Sequence, residues 1–282
     1  MRISILTATT MIAFAANSVL NRAALTDGAI GPASFAVLRL ASGAVVLFLI
    51  LWLQGAFKDG IEIKPRLDAV LGLALYAIGF SFAYAVLQAG LGALLLFGMV
   101  QITMFAGALM QGNQPKPLQW LGAAIGLSGL AYVLNPSTSG IDLSGAALMI
   151  GAGFGWGVYS LAGQKVEQAL VATAASFVCA TPIALIIWFV TSTETSSLQG
   201  IALACLSGGV TSALGYILWF YVLPRLQTST AAVAQLTVPL IAMAGGIVFL
   251  DEVWTMDFTI ASALVLGGIG LSVWAGQKGR KI

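Results

Sequence analysis

The chain has 282 residues, of which 59% are hydrophobic and 8% are charged, and its formal net charge is +2. A soluble domain carries about 25% charged residues, so this composition excludes a large water-facing domain and predicts an integral membrane protein. The chain contains no histidine and no basic run, which excludes most metal sites, a histidine proton relay and a nucleic-acid partner.

The first predicted helix extends from about Ile3 to Ala24. Its start, Met1-Arg2 followed by an apolar run and residues 13–15 (AFA), imitates a signal peptide with a small-residue cleavage site. Nine comparable spans follow, and cleavage would leave an odd number of helices. We therefore favour an uncleaved first helix.

The nine further apolar runs each have about the 20 helical residues that cross one bilayer. Turn residues such as Gly31-Pro32 and Pro224 separate them, and no connection is long enough for an extramembrane domain. The predicted fold class is therefore an all-α integral membrane protein with ten transmembrane helices. The predicted bounds of the nine runs are 31–53, 67–87, 91–111, 118–134, 143–162, 171–190, 199–222, 229–250 and 257–275.

The apolar run 231–254 contains Pro239 near its middle and closes with Asp251 and Glu252. Proline removes an intrahelical hydrogen bond, so carbonyls near Thr237 should lose their usual donor. In a bilayer that loss is tolerable only where protein or a watery cavity satisfies the freed groups, which predicts that this element faces inward. We expect Asp251 and Glu252 to form a solvated cap at the outer end of the helix.

The basic residues predict the orientation. Ten spans place both termini on one face, and the opposite face then holds only Arg22. The positive-inside rule therefore predicts cytoplasmic termini, with residues 276–282 as a cytoplasmic tail, in a multi-pass protein of the cytoplasmic membrane. The basic residues on the predicted cytoplasmic face are Arg2, Lys58, Lys64, Arg66, Lys116, Lys165, Arg225, Lys278, Arg280 and Lys281.

Residues 1–134 and 143–275 read as two copies of a five-helix unit. The clearest match joins residues 118–129 (LQWLGAAIGLSG) to residues 258–268 (FTIASALVLGG). Because five is odd, the second copy enters the membrane from the opposite side, so the two units form inverted repeats. Such repeats place a substrate site near the midplane, around a central cavity. The alternative is a convergent Leu/Ala/Gly composition.

This pattern resembles the drug/metabolite transporter superfamily, in particular its EamA-type members with ten helices in two repeats. Residues 238–240 (VPL) and 249–252 (FLDE) are similar to that family's ninth-helix proline and terminal glutamate. Residues 112–122 (GNQPKPLQWLG) resemble the family's linkage between helices four and five, although Asn113 stands where the family often has Glu. The resemblance implies a basket of helices one to four and six to nine around a central cavity, with helices five and ten peripheral.

Polar side chains inside a span are costly in lipid and tend to face protein or water. Asn17 in helix one, Gln101 in helix four and Gln235 in helix nine carry amides, which can address both charged groups of a zwitterion without being charged themselves. We therefore take these three residues as candidates for substrate binding. Interhelical hydrogen bonding is the alternative.

Aromatic residues form the second set of candidates. Rings with a polar atom can line a pocket for an apolar side chain and form a cation–π contact with an ammonium group. Packing against lipid or the core is the alternative. The aromatic candidates for substrate binding are Tyr84, which belongs to a stripe with Tyr76 and Phe80 at four-residue spacing, and Trp156, Tyr159 and Tyr216.

Arg39 is the one charge deep in a span, about eight residues into helix two. Placing it there costs roughly 3 kcal/mol on insertion scales, so it needs a partner or water. It could bind a substrate carboxylate or tie the carbonyls of a broken helix together. We favour the structural role, because the resembling family often has an arginine at the matching position. Pro239 and Glu252 are placed with it as structural or gating residues.

These observations predict a transporter that exports amino acids, including aromatic and other neutral ones, by alternating access. All ten acidic residues fall in loops or near helix ends, so we expect facilitated movement without obligatory proton coupling. Export of drugs or other small metabolites is the alternative among transporters, and a passive channel or an intramembrane enzyme is the alternative from another class. We expect a monomer with a small-molecule substrate, no catalytic residue, no metal and no cofactor.

Overall fold

The computed structural model describes residues 2–26, 28–56, 65–110, 112, 115–134, 141–164, 166–191, 196–226 and 234–277. These ranges form ten helices and contain no strand, which confirms the predicted all-α membrane fold. Eight helices are long and apolar enough to cross a membrane, while α5 and α9 are shorter. The helices are α1 (Arg2–Thr26), α2 (Pro32–Leu53), α3 (Leu67–Tyr84), α4 (Ala89–Met110), α5 (Pro117–Val133), α6 (Leu143–Gly163), α7 (Ala169–Thr191), α8 (Leu198–Arg225), α9 (Val238–Leu250) and α10 (Met256–Gln277).

Several helices begin at capping and turn residues in the sequence. α5 begins with Pro117, whose missing N–H lies where the first turn of a helix has no acceptor. The Asp142 and Ser197 side chains accept hydrogen bonds from the backbone N–H of Gly145 and Gly200, at 2.7 and 3.1 Å, and so cap α6 and α8. Outside the ninth helix, the observed bounds agree with the predicted ones to within a few residues.

The prediction for the ninth helix was wrong about Pro239. α9 begins at Val238, so Pro239 lies in its first turn and does not interrupt the middle of a span. A proline in the first turn removes no hydrogen bond of its own helix. The carbonyl of Thr237 is also not free, because it accepts from the N–H of Ile241 at 3.0 Å. Residues 234–235 are helical, and turn residues 236–237 separate them from α9.

Some of the predicted features lie outside the described residues. The orientation inferred from the basic residues therefore stays a prediction. These features are Asn113, residues 135–136, residues 227–233 ahead of α9, the tail beyond Gln277, and the basic residues Lys58, Lys64, Lys165, Lys278, Arg280 and Lys281.

Helices from the two halves of the chain interleave. α1 packs against α8 and α9, and α6 packs in the same way against α3 and α4. α2 packs against α7, and α4 packs against α9. Exchanging α1–α5 with α6–α10 therefore maps these contacts onto one another, as two inverted five-helix repeats require. α5 and α10 pack against each other and against α4, at the periphery of the bundle.

The closest approach of α3 and α6 positions the centre of the bundle. A Cβ on Gly72 would lie 2.8 Å from the carbonyl oxygen of Gly155, and a Cβ on Gly155 would lie 2.6 Å from the carbonyl oxygen of Gly72. Small residues of this kind let transmembrane helices pack with their backbones close together. The contact brings Tyr76, one turn after Gly72, against Trp156, one residue after Gly155, with ring centroids 4.9 Å apart.

Candidate functional site

Arg39 lies at the centre of the bundle, and only 1% of its surface is exposed. Its Nε donates to the Oγ of Ser212 at 2.9 Å, and its Nη2 donates to the hydroxyls of Tyr76 and Tyr216 at 2.8 and 2.7 Å. The guanidinium therefore joins α2 to α3 and α8. Its third nitrogen, Nη1, is buried and has no hydrogen-bond partner within the described ranges.

The groups that lie near the charge of Arg39 are aromatic rings and not a carboxylate. Its Cζ lies 4.8 Å from the ring centroid of Tyr76 and 4.9 Å from that of Phe80, which is cation–π distance. In the described part of the chain, the carboxylates that pair with an arginine are Glu252 and Asp68, and neither pairs with Arg39. Arg39 therefore remains a buried cation whose charge no acidic side chain neutralises.

Asn17 on α1 extends the hydrogen bonding around Arg39. Its Nδ2 donates to the hydroxyl of Tyr76 at 3.2 Å, and its Oδ1 accepts from Ser207 and Thr211 at 2.5 and 3.1 Å. Both partners belong to a π-helical segment of α8, Ser207–Leu214, which also contains Ser212. The wider turn of this segment brings three hydroxyls of α8 to Asn17 and Arg39, and π-segments within α-helices frequently occur at functional sites.

Trp156 on α6 forms the aromatic centre of the site. Its ring centroid lies 4.7 Å from that of Tyr216, 5.3 Å from that of Phe14 and 5.5 Å from that of Tyr159. The Nε1–H of Trp156 is buried, and no described residue accepts a hydrogen bond from it. We call Asn17, Arg39, Tyr76, Trp156 and Tyr216 the central cluster. Its members come from α1, α2, α3, α6 and α8, and so from both halves of the chain.

Six of the seven predicted substrate-binding residues divide into two groups. Asn17, Trp156 and Tyr216 belong to the central cluster, and Tyr159 packs against Trp156. Gln101 and Gln235 form the second group. Among the residues that the structure describes, the Nε2 of Gln101 and both amide atoms of Gln235 are buried without a hydrogen-bond partner. Their polar groups are therefore available to bind an additional group.

Tyr84 lies apart from the central cluster, near one end of the bundle. Its hydroxyl donates to the carbonyl of Ala89 at 3.1 Å and ties the end of α3 to the start of α4. A Cβ on Gly92 would lie 2.5 Å from its ring, so the ring fills the space beside α4. These contacts give Tyr84 a role in packing the α3–α4 connection.

The expectation that Glu252 is a solvated cap was wrong, because its side chain is only 6% exposed and folds back into the protein. Its carboxylate accepts two hydrogen bonds from the backbone N–H of Ala89, at 2.8 and 3.1 Å, and thus caps α4 instead of its own helix. The Nε of Arg22 lies 3.7 Å from its Oε1. The Nη1 of Arg22 donates to the carbonyls of Tyr84 and Ala85.

We call Arg22, Glu252 and Ala89 the Glu252 latch. It links the ends of α1 and α9 and the start of α4, and Arg22 adds the end of α3, so helices of both halves are joined at one end of the bundle. Burial raises the pKa of Glu252 above its ordinary value, while the N–H groups of Ala89 and Gly90 and the charge of Arg22 oppose that increase. The N-terminus of α4 also favours a carboxylate through the helix dipole.

Sequence reasoning missed several members of the site. Tyr76 was noticed only as part of an aromatic stripe, and Phe14 and the hydroxyl residues of α8 were not singled out. The available signal was residues 207–212 (SGGVTS), an unusually polar run within an otherwise apolar span. In the ranges that the structure describes, no group of three or more His, Cys, Asp or Glu residues could hold a metal ion.

Comparisons with known proteins agree with a membrane transporter. The model of the EamA-like transporter family matches residues 1–135 and 143–274. An uncharacterized protein of Pseudomonas aeruginosa is 39% identical over 272 residues, which cover 96% of this chain and 94% of the relative. The threonine/homoserine exporter RhtA of Salmonella typhimurium is 28% identical over 257 residues, covering 86% of this chain and 82% of the exporter.

Two further comparisons cover most of the chain. A probable amino-acid metabolite efflux pump of Salmonella typhimurium is 26% identical over 235 residues, covering 75% of this chain and 79% of the pump. One solved crystal structure superposes on 100% of this chain and 99% of its own with a TM-score of 0.69, at 16% sequence identity. That structure supports the fold alone.

Proposed function

The chain belongs to the EamA-like transporter family, and from this premise we propose that it exports neutral amino acids across the cytoplasmic membrane by alternating access. Membership of the family and the helical fold make it a multi-pass membrane transporter of small metabolites. The amino-acid substrate, the outward direction and the mechanism are the parts that we propose.

The central cluster is the observation that carries this proposal. It combines a cation, an amide, two tyrosine hydroxyls and an indole, and both repeats contribute to it. The interface between inverted repeats, near the midplane, is where transporters of this type place their substrate. Polar groups that are costly in lipid are expected at such a position only where they serve a packed network or a ligand.

The chemistry of the cluster fits an amino acid. The guanidinium can hold a carboxylate, and the faces of Trp156 and Tyr76 can accept an ammonium group by cation–π contact. The relatives named as a threonine/homoserine exporter and as an amino-acid metabolite efflux pump support the same class. The sequence pattern also resembles the bacterial amino-acid exporter YddG, whose substrates include aromatic amino acids, and we include aromatic amino acids in the proposal on that resemblance.

One end of the bundle supports a carrier in preference to an open pore. At one end, the Glu252 latch joins α1, α4 and α9. Under the orientation that the basic residues predict, this end faces outward and both termini are cytoplasmic. Release of substrate to the outside then requires the latch to open. This requirement couples the movement of the repeats to passage of the substrate.

The test is transport by the purified protein in liposomes. We expect saturable uptake of radiolabelled L-threonine or L-phenylalanine, accelerated when the same unlabelled amino acid is present on the opposite side. Liposomes without protein provide the background, and adenine and UDP-glucose represent other metabolite classes. Transport of adenine or UDP-glucose without any amino acid would contradict the substrate class. Flux that does not saturate and shows no counterflow would contradict a carrier.

A further inference from the structure

Arg39 is unusual because it is the only charged residue in the buried core that the structure describes. An isolated charge is strongly disfavoured in a low-dielectric interior unless it is paired or hydrogen-bonded. Arg22 and Arg66 each have a carboxylate partner, but Arg39 has hydroxyls and aromatic rings. The site therefore keeps a full positive charge without an anion.

The hydrogen bonds around Arg39 contain more donors than acceptors. The hydroxyl of Tyr76 accepts from Arg39, from Asn17 and, at 3.1 Å, from Tyr216. An oxygen with two lone pairs accommodates two such donors well, not three. No carbonyl or carboxylate in the described hydrogen bonds accepts from Arg39 or from either of these tyrosines. The Nη1 of Arg39 adds two further N–H groups without an acceptor.

A carboxylate supplies what this arrangement lacks. It carries the missing charge and about four acceptor positions, and it suits the planar edge of a guanidinium in a bidentate pair. The ring centroids of Tyr76 and Phe80 lie 4.8 and 4.9 Å from the Cζ of Arg39 and 5.1 Å from each other, so both rings lie to one side of the guanidinium. The Nη1 edge, which has no partner among the described residues, remains the direction for a further hydrogen bond. Unsatisfied buried donors cost free energy, and a bound carboxylate would remove that cost.

We infer that Arg39, through its Nη1 edge, binds the carboxylate of the transported substrate, so that the protein selects compounds with a single carboxylate group over their amides. This inference rests on the proposed function and adds to it the group by which the substrate is recognised. Tyr76 and Tyr216 accept from Nη2 of the same guanidinium, and Asn17 donates to Tyr76, so the carboxylate enters by reorganising these hydrogen bonds. The central cluster contains no side-chain carboxylate that could bind the ammonium group of the substrate. We therefore expect the ammonium group to contribute less to substrate binding than the carboxylate.

The experiment compares three analogues that differ only in their charged groups: L-phenylalanine, L-phenylalaninamide and 3-phenylpropionate. Binding is measured as the concentration of each compound that half-saturates the rise in thermal midpoint of the purified protein. For the unaltered protein, we expect the two carboxylates to bind at least about 10-fold more tightly than the amide, because hydrogen bonds to charged groups carry this much selectivity. In Arg39→Gln, the preference should fall to about 3-fold or less.

Control variants separate recognition from folding. Ser34→Ala, also on α2, removes the acceptor of the Trp188 Nε1–H at 2.9 Å, outside the central cluster, and should keep the full preference for carboxylates. If Arg39→Gln does not fold, Arg39→Lys takes its place. Lysine keeps the positive charge but lacks the forked N–H donors of a guanidinium, so the preference for carboxylates over the amide should be smaller in this variant than in the unaltered protein.

The outcomes distinguish this inference from the proposed function. Equal binding of the amide and the two carboxylates would overturn the role of Arg39 and leave amino-acid export intact. An unchanged preference in Arg39→Gln, or in Arg39→Lys where the glutamine variant does not fold, would do the same. If neither carboxylate binds and no amino acid is transported in liposomes, both proposals are wrong.

Discussion

Glu252 illustrates how one side chain can join several helices. Its carboxylate accepts from the N–H of Ala89 and lies near Arg22, so it contacts α4 and α1 from the end of α9. The sequence placed this residue at a helix end but could not say which helix it caps. The inward turn depends on Asp251, which adopts a left-handed conformation with φ of 53° at the end of α9.

The raised pKa of Glu252 predicts how stability depends on pH. Because the pKa is higher in the folded protein than in the unfolded chain, this carboxyl binds a proton more readily when folded. Its contribution to stability is complete below the ordinary pKa of glutamate and is lost as the pH rises through the raised value. The thermal midpoint of the unaltered protein, minus that of Glu252→Gln, should therefore increase from about pH 8 to about pH 5.

Scanning fluorimetry of both proteins in the same detergent measures this difference, and Glu252→Gln is the matched control because it cannot titrate. If the difference in thermal midpoint between the two proteins decreased on acidification, the surroundings of Glu252 would stabilise its carboxylate, and the prediction would be wrong. At about pH 5, where the contribution of Glu252 is larger than at about pH 8, Glu252→Ala should lose the cap on α4 and about 1 kcal/mol of stability.

Trp156 and Gln101 provide a second prediction for single residues. Trp156→Ala and Gln101→Ala should weaken the apparent affinity for substrate by on the order of 1–3 kcal/mol, because each loses one anchoring contact. Trp156→Phe, which keeps a ring but loses the unpaired Nε1–H, should give a smaller effect. The measurement is the half-saturation constant in liposomes, with the exposed Trp120→Ala as the control. Unchanged half-saturation in both alanine variants would assign these residues to packing.

Residue types revealed part of the site but not its arrangement. Asn17, Trp156 and Tyr216 could be selected because polar and aromatic side chains are rare and costly inside a span. The partners of Arg39 could not be selected, because Ser212 and Tyr76 are far from it in the chain and only packing brings them to it. The shared hydroxyl of Tyr76 is therefore a property of the fold.

The π-helical segment of α8 is the element on which the site depends most directly. It carries Ser207, Thr211 and Ser212, which bind Asn17 and Arg39. Apolar length predicted α8 correctly as a span, but hydropathy contains no information on a widened turn. For Pro239 the sequence predicted an irregularity that the structure does not have. The proline was expected to break a helix, but it lies in the first turn of α9.

We predict that replacing Gly208, within this segment, by alanine lowers both stability and transport. A Cβ at Gly208 would lie 2.1 Å from the carbonyl oxygen of Arg39 and 2.1 Å from the Oγ of Ser42. Gly208→Ala must therefore push α8 away from α2 and separate Arg39 from Ser212. Overpacking of this kind costs about 1–3 kcal/mol.

Thermal midpoint and transport rate both measure this effect. Gly151→Ala is the matched control, because a Cβ at Gly151 meets no atom within 4 Å. We expect Gly208→Ala to lower the midpoint and the transport rate, while Gly151→Ala leaves both near their unaltered values. Equal stability of the two variants would mean that α8 and α2 are not held closely together.

Across the whole molecule, the predicted topology is tested by the labelling of single cysteines. Native Cys179 and Cys205 are first replaced by alanine. Cysteines at Lys58 and Lys278, both outside the described residues, should then react with an impermeant reagent only from the cytoplasmic side. A cysteine at Val253, which is exposed beside the Glu252 latch, should react only from the outside. Labelling of Lys58 or Lys278 from outside would contradict ten spans with cytoplasmic termini.

In the proposed mechanism, a neutral amino acid moves through a site that contains no group able to exchange a proton near neutral pH. In the described spans, the central cluster contains no Asp or Glu, and a guanidinium keeps its proton at any reachable pH. Glu252, in the latch, is the nearest candidate for proton coupling that the structure offers. The movement should therefore follow the gradient of the substrate alone.

The most direct measurement is uptake of L-threonine and L-phenylalanine into liposomes, with and without an imposed pH gradient, at a fixed membrane potential. We predict saturable uptake that stops at equal concentrations on both sides, is stimulated by unlabelled substrate on the opposite side, and is unchanged by the pH gradient and by a protonophore. Accumulation above that equilibrium, abolished both by the protonophore and by Glu252→Gln, would contradict the account and make Glu252 the coupling residue.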